Sequence, residues 1–406
     1  MGVKIKKRFK NSFLGLAAWL LLAGFASCNS GEKQPASKVV PDELVTAEGK
    51  KEMILLTDRP LNLETPLHYF LYDFTPNDEF FVRWHLSNMP AQVGLDTFRL
   101  RISGHVSKPL SLSMSDLKTK FKTVSINALA ACAGNARSFC DPRVPGGQWK
   151  NGGMGNAKWT GVILKDVLSM AGVKPGAKSV SFNGMDEPPL PSVPDFVKSL
   201  TVDHATDGEV MIAYEMNGEP LPLLNGFPLK LVVPGWYATY WVGMLNEIKV
   251  YPDTFKGFWM DKAYLVPKGV ANGNEKPDSL AKDMTPISRL DIRSIFVVPE
   301  QGSVIAAGQI CKMQGLAFDG GYGITKVELS TDSGATWVQA SLDNDLGKYS
   351  WRRWRYTWQP ASQGTFTFYV KATNAKGETQ PWHHWNRSGY MRNEIESLQI
   401  KVEKSK

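Results

Sequence analysis

The apolar positions of this chain change period along its length. From Asp78 to Leu86 the run Phe80-Phe81-Val82-Arg83-Trp84-His85 is aromatic and β-branched, which predicts a strand whose alternate positions send Arg83 and His85 to one face. Ser125 to Ala131 is a short apolar segment that stops at Cys132, and Phe98 to Val106 predicts a strand with Gly104 at its turn. Helical spacing predicts a short helix over Leu110 to Leu117 and an amphipathic helix over Val162 to Met170. Ala213 to Pro222 reads as a hairpin around Asn217-Gly218. Beyond Pro286 strands dominate: Ile295 to Pro299, Gly308 to Phe318, Ile324 to Ser330, Ser333 to Trp337 and Gly364 to Thr373 recur at the spacing of a small antiparallel sandwich. The fold class is therefore α+β, a mixed first domain followed by an all-β second one.

The amino-terminal segment has a different pattern. A basic start precedes an apolar run from Phe13 to Phe25 and then Ala26-Ser27-Cys28-Asn29-Ser30, which reads as a secretory leader too short to span a membrane. Small residues before Cys28 and a polar stretch after it resemble a lipoprotein cleavage box that makes Cys28 the lipidated first residue; ordinary cleavage after Ala26 is the alternative. Lys6-Lys7-Arg8-Phe9-Lys10 contains no twin arginine. The following polar residues lack a clear period and read as a tether. Pro267 to Pro286, rich in Gly, Asn, Lys, Asp and Pro, marks an inter-domain boundary. The expected organisation is a leader over 1–27, a tether over 28–60, a first domain over 61–285 and a second over 286–406.

Composition excludes several classes. A chain of 406 residues with 43% hydrophobic positions builds two ordinary cores and is neither disordered nor fibrous. The formal charge of +8 includes five cations in the leader, Lys4, Lys6, Lys7, Arg8 and Lys10, so the rest carries about +3, too little to argue for nucleic acid.

Candidate chemistry centres on Ala130-Ala131-Cys132-Ala133-Gly134-Asn135-Ala136-Arg137, in which the thiol ends an apolar segment and Gly134 and Asn135 tolerate a left-handed turn. Arg137 is close enough in sequence to return to the same pocket and hold a thiolate or an anionic ligand. A buried structural cysteine, or a disulfide from Cys132 to Cys140, is the alternative. Trp149 and Trp159 follow, and tryptophans are commonly core residues. Cys311 reads as a small core hydrophobe, and the adjacent His383 and His384 would point apart on a strand rather than share a metal.

The Cys-Ala-Gly-Asn-x-Arg block, Trp149, and the run Asn156-Ala157-Lys158-Trp159-Thr160-Gly161-Val162-Ile163-Leu164-Lys165-Asp166-Val167-Leu168 resemble the sulfite oxidase family of molybdopterin enzymes, most closely the periplasmic sulfite dehydrogenases of bacteria. The resemblance extends from about Leu61 to Val402. It implies a molybdopterin-binding domain followed by an immunoglobulin-like domain that often mediates dimers. It places the single protein ligand of molybdenum at Cys132, Arg83 facing the substrate oxyanion, and His85 on the pterin side. Trp149, Arg137 and Tyr264 fall in the substrate pocket by the same resemblance, and Phe81, Asp186, Asn225 and Lys230 on the cofactor.

Some positions depart from the family pattern. Asn225 stands where better-known members carry histidine, Lys230 where they carry arginine, Gly243 where they carry lysine, and Ala263 where an aspartate is common. Lysine keeps the charge but loses the two-pronged grip of guanidinium on phosphate. A pocket arginine expected after Trp385-Asn386 is replaced by Ser388, with Arg387 one residue earlier.

The implied activity is oxidation of sulfite to sulfate by an exported, periplasmic enzyme with a molybdenum-molybdopterin cofactor. Electrons would leave singly to a separate cytochrome c-type acceptor, since no Cys-x-x-Cys-His haem site is present. A lipid anchor on Cys28 and a homodimer are the expected associations. A related reductase acting on sulfoxides and a metal-free, lipid-anchored binding protein are the rival expectations.

Overall fold

The computed structural model describes residues 6–7, 43–270 and 273–404. The leader's apolar run and Cys28 lie outside the described residues. The fold is α+β and rich in sheet, as expected, with few and short helices.

Among the described residues three large sheets, with the small pair Leu265–Pro267 and Met284–Pro286, form the first domain. The strand Val124–Ala131 pairs antiparallel with Met154–Ile163 over its whole length, from Val124 opposite Gly161 to Ala131 opposite Met154, so the chain delivers Cys132 at the sheet's end. Met211–Met216 continues this sheet. A second sheet has the order Lys198–Thr201, Ser179–Asn183, Glu247–Tyr251, Leu100–Gly104, Leu110–Leu112. A third is antiparallel and runs through Leu44–Thr46, Met53–Asp58, Leu61–Glu64 and Val82–Arg83, with Lys6–Lys7 at its edge.

Four expectations are corrected here. Residues 43–60 are folded rather than a tether: Val45, Ala47 and Met53 are buried with Trp84, Leu224 and Met244, because apolar positions alternate beneath a polar composition. Leu110–Leu112 is a strand, and the helix is Met114–Lys120. Ser113 and Asp116 form a capping box that fixes where the helix starts, while Leu100, Arg101 and Ile102 take the preceding residues as strand partners. The second helix is Leu164–Ala171, since Val162 and Ile163 are still paired with Ile212 and Met211. Phe80 to His85 keeps ladder pairing only at Val82–Arg83, and the chain around them is irregular.

The second domain is a sandwich. Arg293–Val298, Cys311–Phe318, Arg352–Trp358 and Ser341–Leu342 form one sheet. Ser303–Ala306, Glu396–Glu403, Gly364–Asn374, Ile324–Ser330 and Val338–Gln339 form the other. Met313, Trp354, Phe368, Val370 and Ile400 fill the space between them, with Cys311 a buried free thiol at one end. Residues 333–337 are a turn instead of the expected strand, because Ser330 and Asp332 take the backbone N–H groups of Gly334 and Thr336.

The main core does not stop at the domain boundary. Ile295, Leu316, Tyr349 and Trp351 of the sandwich belong to the same apolar cluster as Leu129, Trp159 and Phe70. The Leu129 N–H donates to Tyr349 O at 2.9 Å, and Asn127 Nδ2 donates to Leu346 O at 2.8 Å. The strand that ends at Cys132 is therefore braced by the second domain.

Candidate active site

Cys132 is buried, with its N–H donating to Gly153 O at 2.8 Å. Cys140 is a separate buried thiol, so the alternative of a bridge between them does not hold. The left-handed residue of the turn is Ala136, at φ 69°, where the sequence pointed to Gly134 and Asn135. Gly134 is needed for space: a Cβ there would lie 2.7 Å from the Arg137 guanidinium, and one at Gly146 would lie 2.8 Å from it. Asn135 locks the turn by accepting the Gly153 N–H at 3.0 Å.

Two cavities meet at the thiol. The inner one, about 720 Å³ including its mouth, is lined by Phe80, Phe81, Trp84, Asp186, Asn225, Lys230 and Gly243. The outer one, about 1210 Å³ including its mouth, is lined by Arg137, Trp149, Trp259, Arg387, Ser388 and Tyr390. Cys132, Arg83, His85 and Tyr264 line both. Every site residue expected from sequence thus falls on one of two connected spaces, although these residues lie up to 183 positions apart in the chain. Trp159, set aside as packing, is fully buried and donates Nε1–H to Ala128 O at 3.0 Å.

The outer cavity has no carboxylate in its lining but three guanidinium groups. Arg83 donates to Trp84 O, to Asn62 Oδ1 at 3.4 Å and to the Tyr264 hydroxyl at 3.5 Å. Arg137 donates to Ser388 O and Gly147 O, both at 3.1 Å, which leaves N–H groups over for a ligand. Arg387 is committed elsewhere: Glu275 takes its guanidinium through both carboxylate oxygens, at 2.9 and 2.7 Å. His85 hydrogen-bonds the Tyr264 hydroxyl through Nε2 and stacks on Phe196 at 3.6 Å. Burial, with Arg83 and Lys198 adding to it, holds the His85 pKa well below the usual imidazole range, so the ring is neutral. Burial raises the Tyr264 phenol, which keeps its proton.

Beyond the shared Arg83, the inner cavity's lining carries one cation, Lys230. Lys230 Nζ donates to Asn225 O at 3.3 Å, and burial lowers its pKa to about 8. Asp186 is the lone carboxylate in that lining, and burial pushes it up to about 7.

Sequence reasoning missed Lys50. Its ammonium donates to Asn77 O at 2.6 Å, Phe80 O at 2.9 Å and Asn225 Oδ1 at 2.6 Å, while Asn225 Nδ2 donates to Phe81 O at 3.0 Å. Burial, opposed by Asp78 and reinforced by Lys230, lowers Lys50 to about 7. Two lysines therefore converge on Asn225, Lys50 on its side-chain amide and Lys230 on its backbone carbonyl. Nothing in a polar stretch of sequence marked Lys50. Lys198 was missed as well: it is buried under the Tyr240 and Tyr264 rings, 4.4 and 5.1 Å from their centroids, and donates to Trp259 O at 2.6 Å. Tyr390, two positions after Ser388, carries no sequence signal that gives it a role.

The donor set suits a metal bound mostly by an organic cofactor. Among the described residues no group of three or more His, Cys, Asp or Glu could hold a metal, and the one thiol stands where the two cavities join. Lys230 in the inner lining, with Lys50 bonded to the lining residue Asn225, suits an anionic cofactor tail.

Residues 86–259 match the family model for the oxidoreductase molybdopterin binding domain, and residues 284–403 match the Mo-co oxidoreductase dimerisation domain. The chain is 31% identical to human mitochondrial sulfite oxidase over 399 residues, covering 92% of this chain and 71% of that one. It belongs to the sulfite oxidase family. The rat mitochondrial sulfite oxidase is 32% identical over 364 residues, which cover 85% of this chain but 65% of the rat protein. Among solved structures, the sulfane dehydrogenase SoxCD from Paracoccus pantotrophus shares the fold, with a TM-score of 0.73, 24% identity and 92% and 93% of the two chains covered. Membership of the sulfite oxidase family implies a molybdenum-molybdopterin cofactor.

Proposed function

We propose that this chain oxidises sulfite to sulfate. The observation that carries the reading is the outer cavity, where a buried thiol faces two pocket arginines and a protonated phenol with no carboxylate in the lining. A site of that charge favours a small oxyanion. Bound there, the molybdenum centre supplies two-electron redox chemistry at sulfur, with Cys132 as the ligand from this chain. Phe81, His85, Asp186, Asn225 and Lys230 would hold the pterin and its phosphate, and Lys50 would orient Asn225 for that purpose.

The chain's own groups bind and orient. Arg83 and Arg137 direct guanidinium N–H groups at the anion, Tyr264 donates its hydroxyl proton in a hydrogen bond, and Trp149 closes one wall against water. Neutral His85, in the tautomer protonated at Nε2, donates to the Tyr264 oxygen and so leaves that hydroxyl's proton for the anion. Sulfite and water give sulfate, two protons and two electrons. The electrons pass singly to a separate cytochrome c-type carrier. The same reading makes the protein exported and periplasmic, lipid-anchored through Cys28, and homodimeric through the second domain.

The test uses the purified, molybdenum-loaded protein. Added sulfite should reduce ferricyanide or a cytochrome c with little oxygen uptake, and Cys132→Ser should abolish this while the fold persists. Loaded protein that ignores sulfite with every acceptor, yet reduces a sulfoxide from a low-potential donor, would overturn the assignment.

A further inference from the structure

We propose that Tyr390, carried by the second domain, is the positioning residue that holds Tyr264 and Arg137 in the geometry that grips the anion. The inference rests on the reading of those two residues given above. It starts from backbone strain. Tyr264 is a non-glycine residue at φ 59°, in the left-handed region. Such a conformation is strained for a residue with a Cβ and persists only where its surroundings over-determine it.

Tyr390 supplies much of that surrounding. Its ring stacks on the Tyr264 ring with centroids 5.1 Å apart and planes 16° apart. The Arg137 guanidinium lies over the Tyr390 ring, 4.9 Å from its centroid. One side chain thus touches both groups that would bind the anion.

The loop that presents Tyr390 is itself fixed. Asn386 accepts the Tyr390 N–H at 3.2 Å and donates to Tyr390 O at 2.8 Å, so a single amide clamps the residue on both sides. The Met391 N–H donates to Ala133 O at 3.0 Å, one residue from the thiol. Gly389 has φ 57°, and a Cβ there would lie 2.8 Å from Arg137 Cγ. Ser388, at the position where the family resemblance led to an expected arginine, turns its carbonyl to Arg137 Nε. The second domain therefore does not add a cation to the pocket. It orients a cation that the first domain provides.

The bland alternative is that Tyr390 only fills space where the domains meet. Tyr390→Leu and Tyr390→Phe separate the two. In loaded Tyr390→Leu protein, molybdenum content and unfolding temperature should stay near wild type, while KM for sulfite and the inhibition constant for sulfate rise together by about tenfold. That is the scale of one buried cation–π contact, about 1.4 kcal/mol. Tyr390→Phe keeps the ring and should recover most of that affinity. A crystal structure of Tyr390→Leu should find Tyr264 outside the left-handed region. Wild-type KM and sulfate inhibition in Tyr390→Leu, with Tyr264 still at positive φ, would overturn the proposal. If wild-type protein proves inert to sulfite, the reading of function fails. The Tyr264 backbone and sulfate affinity in Tyr390→Leu then decide the positioning role on their own.

Discussion

Lys50→Met exchanges a buried ammonium for an apolar chain of similar reach, and in cofactor-free protein two effects oppose each other. Burial lowers the Lys50 pKa from 10.5 to about 7. At about 1.4 kcal/mol for each pH unit, the charged form costs about 5 kcal/mol. Methionine avoids that cost but strips Asn77 O, Phe80 O and Asn225 Oδ1 of their donor. Each buried acceptor left unsatisfied costs roughly 1–3 kcal/mol. The opposing sums are of similar size, so the cofactor-free variant should unfold within about 2 kcal/mol of wild type. A phosphate-bearing cofactor shifts the balance, because its charge compensates the ammonium and Asn225 needs Lys50 to hold its amide in place. Losing one charge-assisted contact, roughly 1.5–3 kcal/mol, should speed cofactor loss by between about 10- and 150-fold. The assay follows molybdenum by mass spectrometry and pterin by fluorescence during dialysis, with Lys50→Arg as the variant that restores charge. Molybdenum and pterin lost at the wild-type rate from Lys50→Met would refute the reasoning, since the ammonium would then do nothing for the cofactor.

Arg83→Gln and Arg137→Gln should each lower kcat/KM for sulfite by about 2–5 kcal/mol in transition-state stabilisation, and sulfate inhibition should weaken in parallel; a wild-type specificity constant in either variant would place that arginine outside the pocket's work. The pH dependence of the cofactor-free chain has a definite sign. Burial lowers Lys50 and Lys198 to about 7 and Lys230 to about 8, all below the ordinary 10.5, so the unfolded chain binds more protons across that window. Stability should therefore rise with pH from about 7 to about 10, and urea unfolding at three pH values that showed a flat or falling trend would contradict it. Loaded protein should give a shallower slope, because an anion beside Lys50 and Lys230 raises their pKa values toward the ordinary one.

The sequence by itself determined the class of fold and pointed to the thiol; the family resemblance named most of the residues that line the pocket. Alternation and β-branched runs reflect a period of two that a strand imposes on its own residues, so Ile324–Ser330 and Gly364–Asn374 could be read before any contact was known. Cys132 and Arg137 share a short block whose residue types suggest their chemistry, whereas Arg83, Trp149 and Tyr264 were singled out only by the motifs that resemble the family. Boundaries were less legible where a long-range partner sets them. The strand that replaces the start of the expected helix at Leu110 exists because Leu100–Ile102 lies beside it, and no local period encodes that neighbour.

Tertiary structure alone decided which groups share the site. Lys50 lies 175 positions from Asn225, in a segment whose composition reads as tether, and it is buried because the backbone at Asn77 and Phe80 and the Asn225 side chain close around its ammonium. Lys198 looks like an ordinary exposed strand residue until Tyr240 and Tyr264 close over it. Tyr390 and Tyr264 meet across the join of two domains whose cores are continuous. Local propensity fixes backbone period, but the dielectric and the company a side chain finds depend on what packs above it. Packing of that kind lowers the lysines' pKa values, keeps His85 neutral and places Tyr390 where it can hold Tyr264 in a strained turn.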